Sequence, residues 1–467
     1  MQEGPRTFQD PLLSVYQSAV ADLARQIDAE RAAALPSLEA AAESPGVALE
    51  AAAERVAMRH AERIMRGGSD TSFEQQENDA ALEAMNIGQN AEVCASLGLR
   101  YLRAKVFGDT GTQTYITNEL KPGGKCDRRW ITVLEEYAKY FGPFGARPEI
   151  PYVRPAAIGP KVITIKTNAR IGLIGDWGTG AEPAKRIMRQ VRTNEPDVLV
   201  HLGDIYYSGT DAECSMNFEA IVNDALQRTT KDIPVYALAG NHDIYSGGAG
   251  YYGLIKRLNK VPMQQPASFF CLRTQDNSWQ LLAMDTGQHD YNPLSISAAL
   301  TYVDKEERDW HEARIREFPG KTILLSHHQL FSAFSQIGPR DVTGKLNPVN
   351  PELKKTYDQL RGTGKPIVAW FWGHEHNLCV YKPYHDLTRG RCLGHGAIPV
   401  FVQDEPYQKL PGLAVPPSII AAATLTKTSD IYAHGFAMIA LAPGKATIDY
   451  YEDRNGSAFR LYSEEIE

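Results

Sequence analysis

Residues 169–176 read ARIGLIGD and residues 197–204 read DVLVHLGD. The same form recurs at 234–243 (PVYALAGNHD), 279–287 (WQLLAMDTG), 321–328 (KTILLSHH) and 366–376 (PIVAWFWGHEH). Each is an apolar run of strand length that stops at a polar cluster, and helix-like stretches separate them. Runs that are apolar at every position, rather than at alternate ones, belong to strands covered on both faces. This part of the chain therefore reads as a layered α/β domain. In such domains ligands bind beyond the carboxyl ends of the strands, which is where the Asp, Asn and His residues of these runs fall.

Outward from this core the pattern changes. Residues 11–66 are rich in Ala, Glu, Arg and Leu, with charges between apolar positions, which predicts helices broken at Pro36 and at Ser44-Pro45-Gly46. Residues 82–108 and 128–141 also read as helical. The prolines at 148, 151 and 155 impose extended geometry on their neighbours and mark a junction. Two domains are expected: an α-helical N-terminal region, 1–155, and an α/β domain, 156–467. At the far end, residues 435–466 alternate in polarity around Pro443-Gly444 and Asn455-Gly456, as closing antiparallel strands would.

Composition excludes several classes. The 467 residues carry 49 Lys+Arg against 56 Asp+Glu, a formal charge of -7, which lacks the basic surplus of a surface that tracks phosphates along nucleic acid. No apolar stretch reaches the ~18 residues of a spanning helix, so no membrane partner is expected. The N-terminus lacks a cationic start and an apolar run, and the expected location is cytoplasmic. The six cysteines are scattered without a C-x-x-C pair, which predicts buried free thiols rather than a zinc cluster or disulfide scaffold.

The polar residues at the strand ends are Asp176, Asp204 with Tyr207, Asn241 with His242, His327 with His328, and His374 with His376. Carboxylate, phenol, amide oxygen and imidazole are donors for Fe, Mn or Zn. Donors spread over many loops describe a catalytic site, since structural zinc sites are compact and thiolate-rich. A carboxylate shared between two ions ~3.5–4 Å apart would make a two-metal centre.

As they stand here, Gly175-Asp176-Trp177-Gly178, Gly203-Asp204-Ile205-Tyr206-Tyr207, Gly240-Asn241-His242-Asp243, Ser326-His327-His328 and Gly373-His374-Glu375-His376 resemble, in order and spacing, the calcineurin-like metallophosphoesterases. Within them the pattern is similar to the purple acid phosphatases, because Gly178 replaces the usual first-motif His and Tyr207 lies three residues after the second Asp. The resemblance spans about residues 168–450. It implies a layered β-sandwich flanked by helices. It also implies one metal on Asp176, Tyr207 and His376, another on Asn241, His327 and His374, and Asp204 bridging them. The implied cofactors are Fe(III) and a divalent Fe, Zn or Mn ion. His242 would face the phosphate as the catalytic residue, with Asp243 orienting it.

These roles imply a hydrolase of small phosphate esters in which a metal-bound hydroxide attacks phosphorus. A trivalent and a divalent ion outweigh two carboxylates, a phenolate and a hydroxide, so the centre would attract a phosphate dianion. The loop at 329–340, QLFSAFSQIGPR, lacks the further substrate-facing His often found there, and His328 is the available substitute. Two other readings are a cytosolic phosphodiesterase on cyclic nucleotides or nucleic acid, and a non-catalytic interaction protein on the same scaffold. The N-terminal helices offer a route to an oligomer. The remaining histidines, including His395, and Asp285 in MDTG read as core, surface or turn residues, and Tyr251 and Tyr252 as packing or groove aromatics.

Overall fold

The computed structural model describes residues 109–112, 114 and 149–467, except 207, 208, 229–231, 291–299, 341, 342, 399, 401, 403, 404 and 428–430. The N-terminal helices expected from the sequence, with Cys94 and Cys126, lie outside the described residues. So does Tyr207. The chain divides into two compact units, and Ile150–Ile244, Gly248–Tyr291 and Ser297–Glu467 form the unit considered below.

This unit holds two sheets. The first contains, in sheet order, β1 (Ile163–Ile165), β5 (Phe270–Thr274), β6 (Trp279–Ala283), β7 (Lys321–Leu325), β8 (Ile367–Trp372), β10 (Gly390–Leu393) and β9 (Leu378–Val380). The second runs β13 (Ser457–Ile466), β12 (Lys445–Arg454), β11 (Gly435–Ala442), β2 (Arg170–Ile174), β3 (Val198–His201) and β4 (Val235–Ala237). Strands β2, β3 and β4 are mutually parallel, as are β6, β7 and β8, so their carboxyl ends open on one edge of each sheet.

The wholly apolar strands are explained by alternation of side chains across a pleat. In β7, Ile323 and Leu325 enter a core cluster shared by both sheets, while Leu324 enters a cluster with Ile315 and Leu353 of two helices. In β8, Ala369 and Phe371 face the shared core and Trp370 and Trp372 the helices. In β3, Val198 and Val200 face inward, while Leu199 meets Ile187, Met188 and Val191 of helix Glu182–Thr193. Helix, sheet, sheet and helix therefore form successive layers, with β3 and most of β7 and β8 buried on both sides. Removing a ring such as Phe371, which is fully buried, would cost ~3–5 kcal/mol.

Local chemistry fixes the ends of these elements. Asn350 caps helix Pro351–Arg361, its side-chain oxygen accepting from Glu352 N and Leu353 N at 2.9 and 3.1 Å. Asn455 and Gly456, with φ of 52° and 84°, make the tight turn between β12 and β13, as their dipeptide predicts. Cys214, Cys271, Cys379 and Cys392 are buried free thiols. Among the described residues no helix is long and apolar enough to cross a membrane.

Away from the strand ends one buried acid stands out. Glu307 Oε1 accepts from Asp285 N at 2.9 Å and lies 3.2 Å from His311 Nε2, while Oε2 accepts from Tyr152 Oη at 2.9 Å. Burial pushes the Glu307 carboxyl up to about 8 and the His311 imidazole down to about 3, so the pair is a neutral hydrogen bond rather than an ion pair. A folded-state pKa above the unfolded 4.5 gives stability that is complete below that value and lost as pH rises through about 8. Glu307→Gln is expected to flatten this pH dependence. Urea midpoints at pH 5 and pH 9 check it, and equal slopes in both proteins would refute it.

Candidate metal centre

The strand ends are built to bring donors close. Asp176, Asp204 and His374, each directly after a glycine, have φ of 53°, 74° and 69°, in the left-handed region. Such residues cost roughly 1–3 kcal/mol each and cluster at functional sites. Gly203, at φ 109°, must lack a side chain, because a Cβ there would lie 2.6 Å from His327 Nδ1. A Cβ on Gly240 would overlap the Asp204 carboxylate. These two glycines clear the space into which donors from other loops reach.

The donors converge in two groups. Asp176, Asp204 and His376 form the first. His376 Nε2 lies 3.3 Å from Asp176 Oδ1. Tyr206 Oη sits among them, 3.1 Å from Asp176 Oδ1, 3.2 Å from Asp204 Oδ2 and 3.0 Å from His376 Nε2. In the second group, Asn241 Oδ1 is 3.0 Å from His327 Nε2 and 3.1 Å from His374 Nδ1, and those two nitrogens are 3.3 Å apart. Asp204 Oδ2 is also 3.4 Å from His327 Nε2, so one carboxylate oxygen reaches both groups. Asp176, Asp204, Asn241, His242 and His327 are at most 2% exposed, whereas His374 keeps partial access to solvent.

The electrostatics fit cations. His327 Nδ1 lies 3.0 Å from Leu202 O, which places the ring proton there and leaves Nε2 as a lone pair. That lone pair faces the Asn241 amide oxygen, and two acceptors this close are favourable only with a positive charge between them. Burial, with neighbouring imidazoles, pushes His327 and His374 well below the ordinary histidine value, so both are the neutral, ligating form. Burial first, and then the charges of Asp176 and Asp243, push Asp204 well above the usual carboxylate range. A metal relieves that cost.

Several sequence expectations change in detail. Asp243 does not orient His242 through a hydrogen bond: its carboxylate accepts from Asp204 N and Gly240 N, both at 2.8 Å, and from Ile205 N at 3.1 Å. It holds the second motif's turn. His242 N donates to Asp204 Oδ1 at 3.0 Å, and His242 Nε2 stands 3.9 Å from Asp204 Oδ2. His328, with a ring nitrogen within 4.8 Å of donor atoms of His327 and His374, is held by neighbours: Nδ1 is 3.0 Å from Thr286 Oγ1 and Nε2 3.2 Å from Asp290 Oδ2. Its ring packs on His374, with centroids 4.5 Å apart.

Other parts were not signalled by any motif. Glu375, between the two histidines of the last motif, takes hydrogen bonds from Ser332 Oγ and, at 3.0 Å, Ser335 Oγ, and so ties the loop at 329–340 to the donors. Asp285 is a turn former as expected, accepting from Gln288 N at 3.1 Å. Tyr251 and Tyr252 are core aromatics on helix Ala249–Arg257. His395 is buried; its carbonyl accepts from Gly435 N, and Nε2 is 3.4 Å from Tyr451 O.

Residues 169–378 match the model of the calcineurin-like phosphoesterase family. Among curated relatives, mouse tartrate-resistant acid phosphatase type 5 is 26% identical over 236 residues, covering 45% of this chain and 67% of that protein. The human protein of the same name is 26% identical over 239 residues, with the same two coverages. The solved structure of PhoD superposes with a TM-score of 0.43 at 12% identity, over 64% of this chain and 70% of that one. Residues 169–378 thus resemble the calcineurin-like phosphoesterases, and the curated relatives to which the chain is similar are tartrate-resistant, purple acid phosphatases.

Proposed function

We propose that this chain is a binuclear metal-dependent hydrolase of phosphate esters, acting on small monoesters in the manner of a purple acid phosphatase. The observation that carries the proposal is the single carboxylate oxygen, Asp204 Oδ2, within 3.4 Å of donors in both groups. One ion would be held by Asp176, Asp204, Tyr207 and His376, the other by Asp204, Asn241, His327 and His374. Fe(III) with a divalent ion suits this set, since the first group is oxygen-rich and anionic while the second is otherwise neutral. When bound, such ions lower the pKa of water and neutralise charge on a phosphoryl group.

The protein's own residues supply the rest. The left-handed turns at Asp176 and Asp204 aim both carboxylates inward, and Leu202 O fixes the His327 tautomer. Asp243 holds the backbone of Asp204, so the bridging oxygen does not shift as charge develops. His242, beside Asp204, binds a phosphoryl oxygen and delivers a proton to the departing alkoxide. The scaffold's helical region at 1–155 is a separate domain in this proposal, and 156–467 carries the chemistry.

The test is hydrolysis of nitrophenyl phosphate by the purified chain, with metal content measured in parallel. Two metals per chain and monoester turnover that is lost on chelation and restored by iron with zinc or manganese are expected. A fully loaded protein that cleaves diesters but not monoesters would point to a phosphodiesterase. Loaded protein that cleaves neither would leave a non-catalytic scaffold.

A further inference from the structure

A cavity of about 480 Å³ opens at the edge of the sheets opposite the donors. It is lined by Val198, the first residue of β3, by Pro234 just before β4, and by Ile165, the last residue of β1. Strands β3 and β4 run from this cavity toward Asp204 and Asn241. Val198 and Asp204 are six residues apart, roughly 20 Å of extended chain, so a molecule seated here does not reach the donors. We propose that the cavity is a second binding site, for a monocarboxylate with an apolar body, and that Arg192 takes the carboxylate. The site stands apart from the phosphoesterase reading and does not depend on it.

Size and lining set the apolar body. Cavities of ~300–1,000 Å³ are the usual size for small organic ligands. Ile165 and Val198 belong to the core shared by the two sheets, and Met263 is partly buried against that core. With Ile233 and Pro234 they form a wall that gains free energy when an apolar molecule displaces water from it.

Charge sets the head group. The lining carries Lys166 and Arg192 against Glu195, Asp197 and Asp232. Lys166 is already taken: its Nζ is 2.7 Å from Asp197 Oδ1, and Asp197 Oδ2 accepts from Arg170 N at 2.9 Å. Arg192, in the last turn of helix Glu182–Thr193, is half-buried, and its Nε has no acceptor among the described residues. A covered donor without an acceptor is a cost that a ligand oxygen on the same guanidinium offsets. The planar fork of that group receives a carboxylate through two parallel hydrogen bonds.

A phosphate would also match the fork, and the three acids decide between the two. Two cations against three anions leave the lining one negative charge in excess. A dianionic phosphate ester meets that excess with twice the repulsion of a monoanion. The molecule that fits this cavity is therefore not the substrate of the metal centre.

The test uses the purified full chain, titrated calorimetrically with octanoate in saturating inorganic phosphate. One octanoate per chain is expected, with octanol, which lacks the charge, bound ~10-fold or more weakly. Arg192→Met keeps the apolar stem and removes the charge. It should weaken octanoate by ~10–100-fold, the range for a hydrogen bond to a charged group. Met263→Trp narrows the cavity and should lower octanoate affinity as well, and both variants should hydrolyse esters at the wild-type rate. Absence of octanoate binding, displacement by phosphate, equal affinity for octanol, or unchanged affinity in Arg192→Met would each overturn the proposal. If Arg192→Met does not fold, undiminished binding by Met263→Trp overturns it. Calorimetry reads binding alone, so a chain that takes octanoate but cleaves no ester keeps this site and loses the hydrolase.

Discussion

Asp204→Asn is expected to reduce metal content below two per chain and to cut ester hydrolysis by ~10³-fold, the upper range for losing one group that stabilises the transition state. Asparagine keeps an acceptor for His242 N but loses the charge shared by both donor groups. The same substitution should act oppositely on the metal-free protein. Asp204 is held well above the ordinary carboxylate value by burial and by Asp176 and Asp243. Its contribution to stability is therefore complete below the unfolded value of 3.8 and lost as pH rises toward the folded pKa. At neutral pH the neutral amide removes that penalty, so the metal-free variant should unfold at higher urea than metal-free wild type. Metal analysis, turnover and a urea titration check the three parts. A variant that keeps both metals and full activity would refute the bridging role.

His242→Ala is expected to lower turnover by ~10²–10⁴-fold, the usual contribution of a positioned acid or base, while both metals stay bound. His242 is buried beside Asp204, 3.9 Å from its carboxylate, and its ring belongs to neither donor group. Loss of metal together with activity would make it a structural residue. The size of the effect should shrink with substrates whose leaving group is a good one, because less proton delivery is then needed. Comparing nitrophenyl phosphate with an alkyl phosphate reads this directly.

How much of this was legible in the sequence depended on the range of the interaction. Strands β3, β6, β7 and β8 were readable because burial on both faces leaves few polar positions, and the closing hairpins were readable from their turn dipeptides. The convergence of Asp176, Asp204, Asn241, His327, His374 and His376 followed from a rule about strand ends. What lay within one residue did not follow. Counting three from Asp204 selects Tyr207, which lies outside the described residues, and the hydroxyl of its neighbour Tyr206 stands among the first donor group. Adjacency suggested that Asp243 serves His242, yet it binds the backbone of a loop 38 and 39 residues earlier. The partners of His328, Thr286 and Asp290, carry no motif that would have pointed to it. The N-terminal helices fall outside the described residues.

The positive φ angles at Asp176, Asp204 and His374 have a bearing on how distant sequences are compared. At these places the side chain must supply a donor atom and also endure a chain path that branched residues refuse. Gly-Asp and Gly-His are therefore better weighed as indivisible dipeptide words than as independent letters. A homologue that keeps the acid but loses the preceding glycine no longer presents its donor along the same chain path.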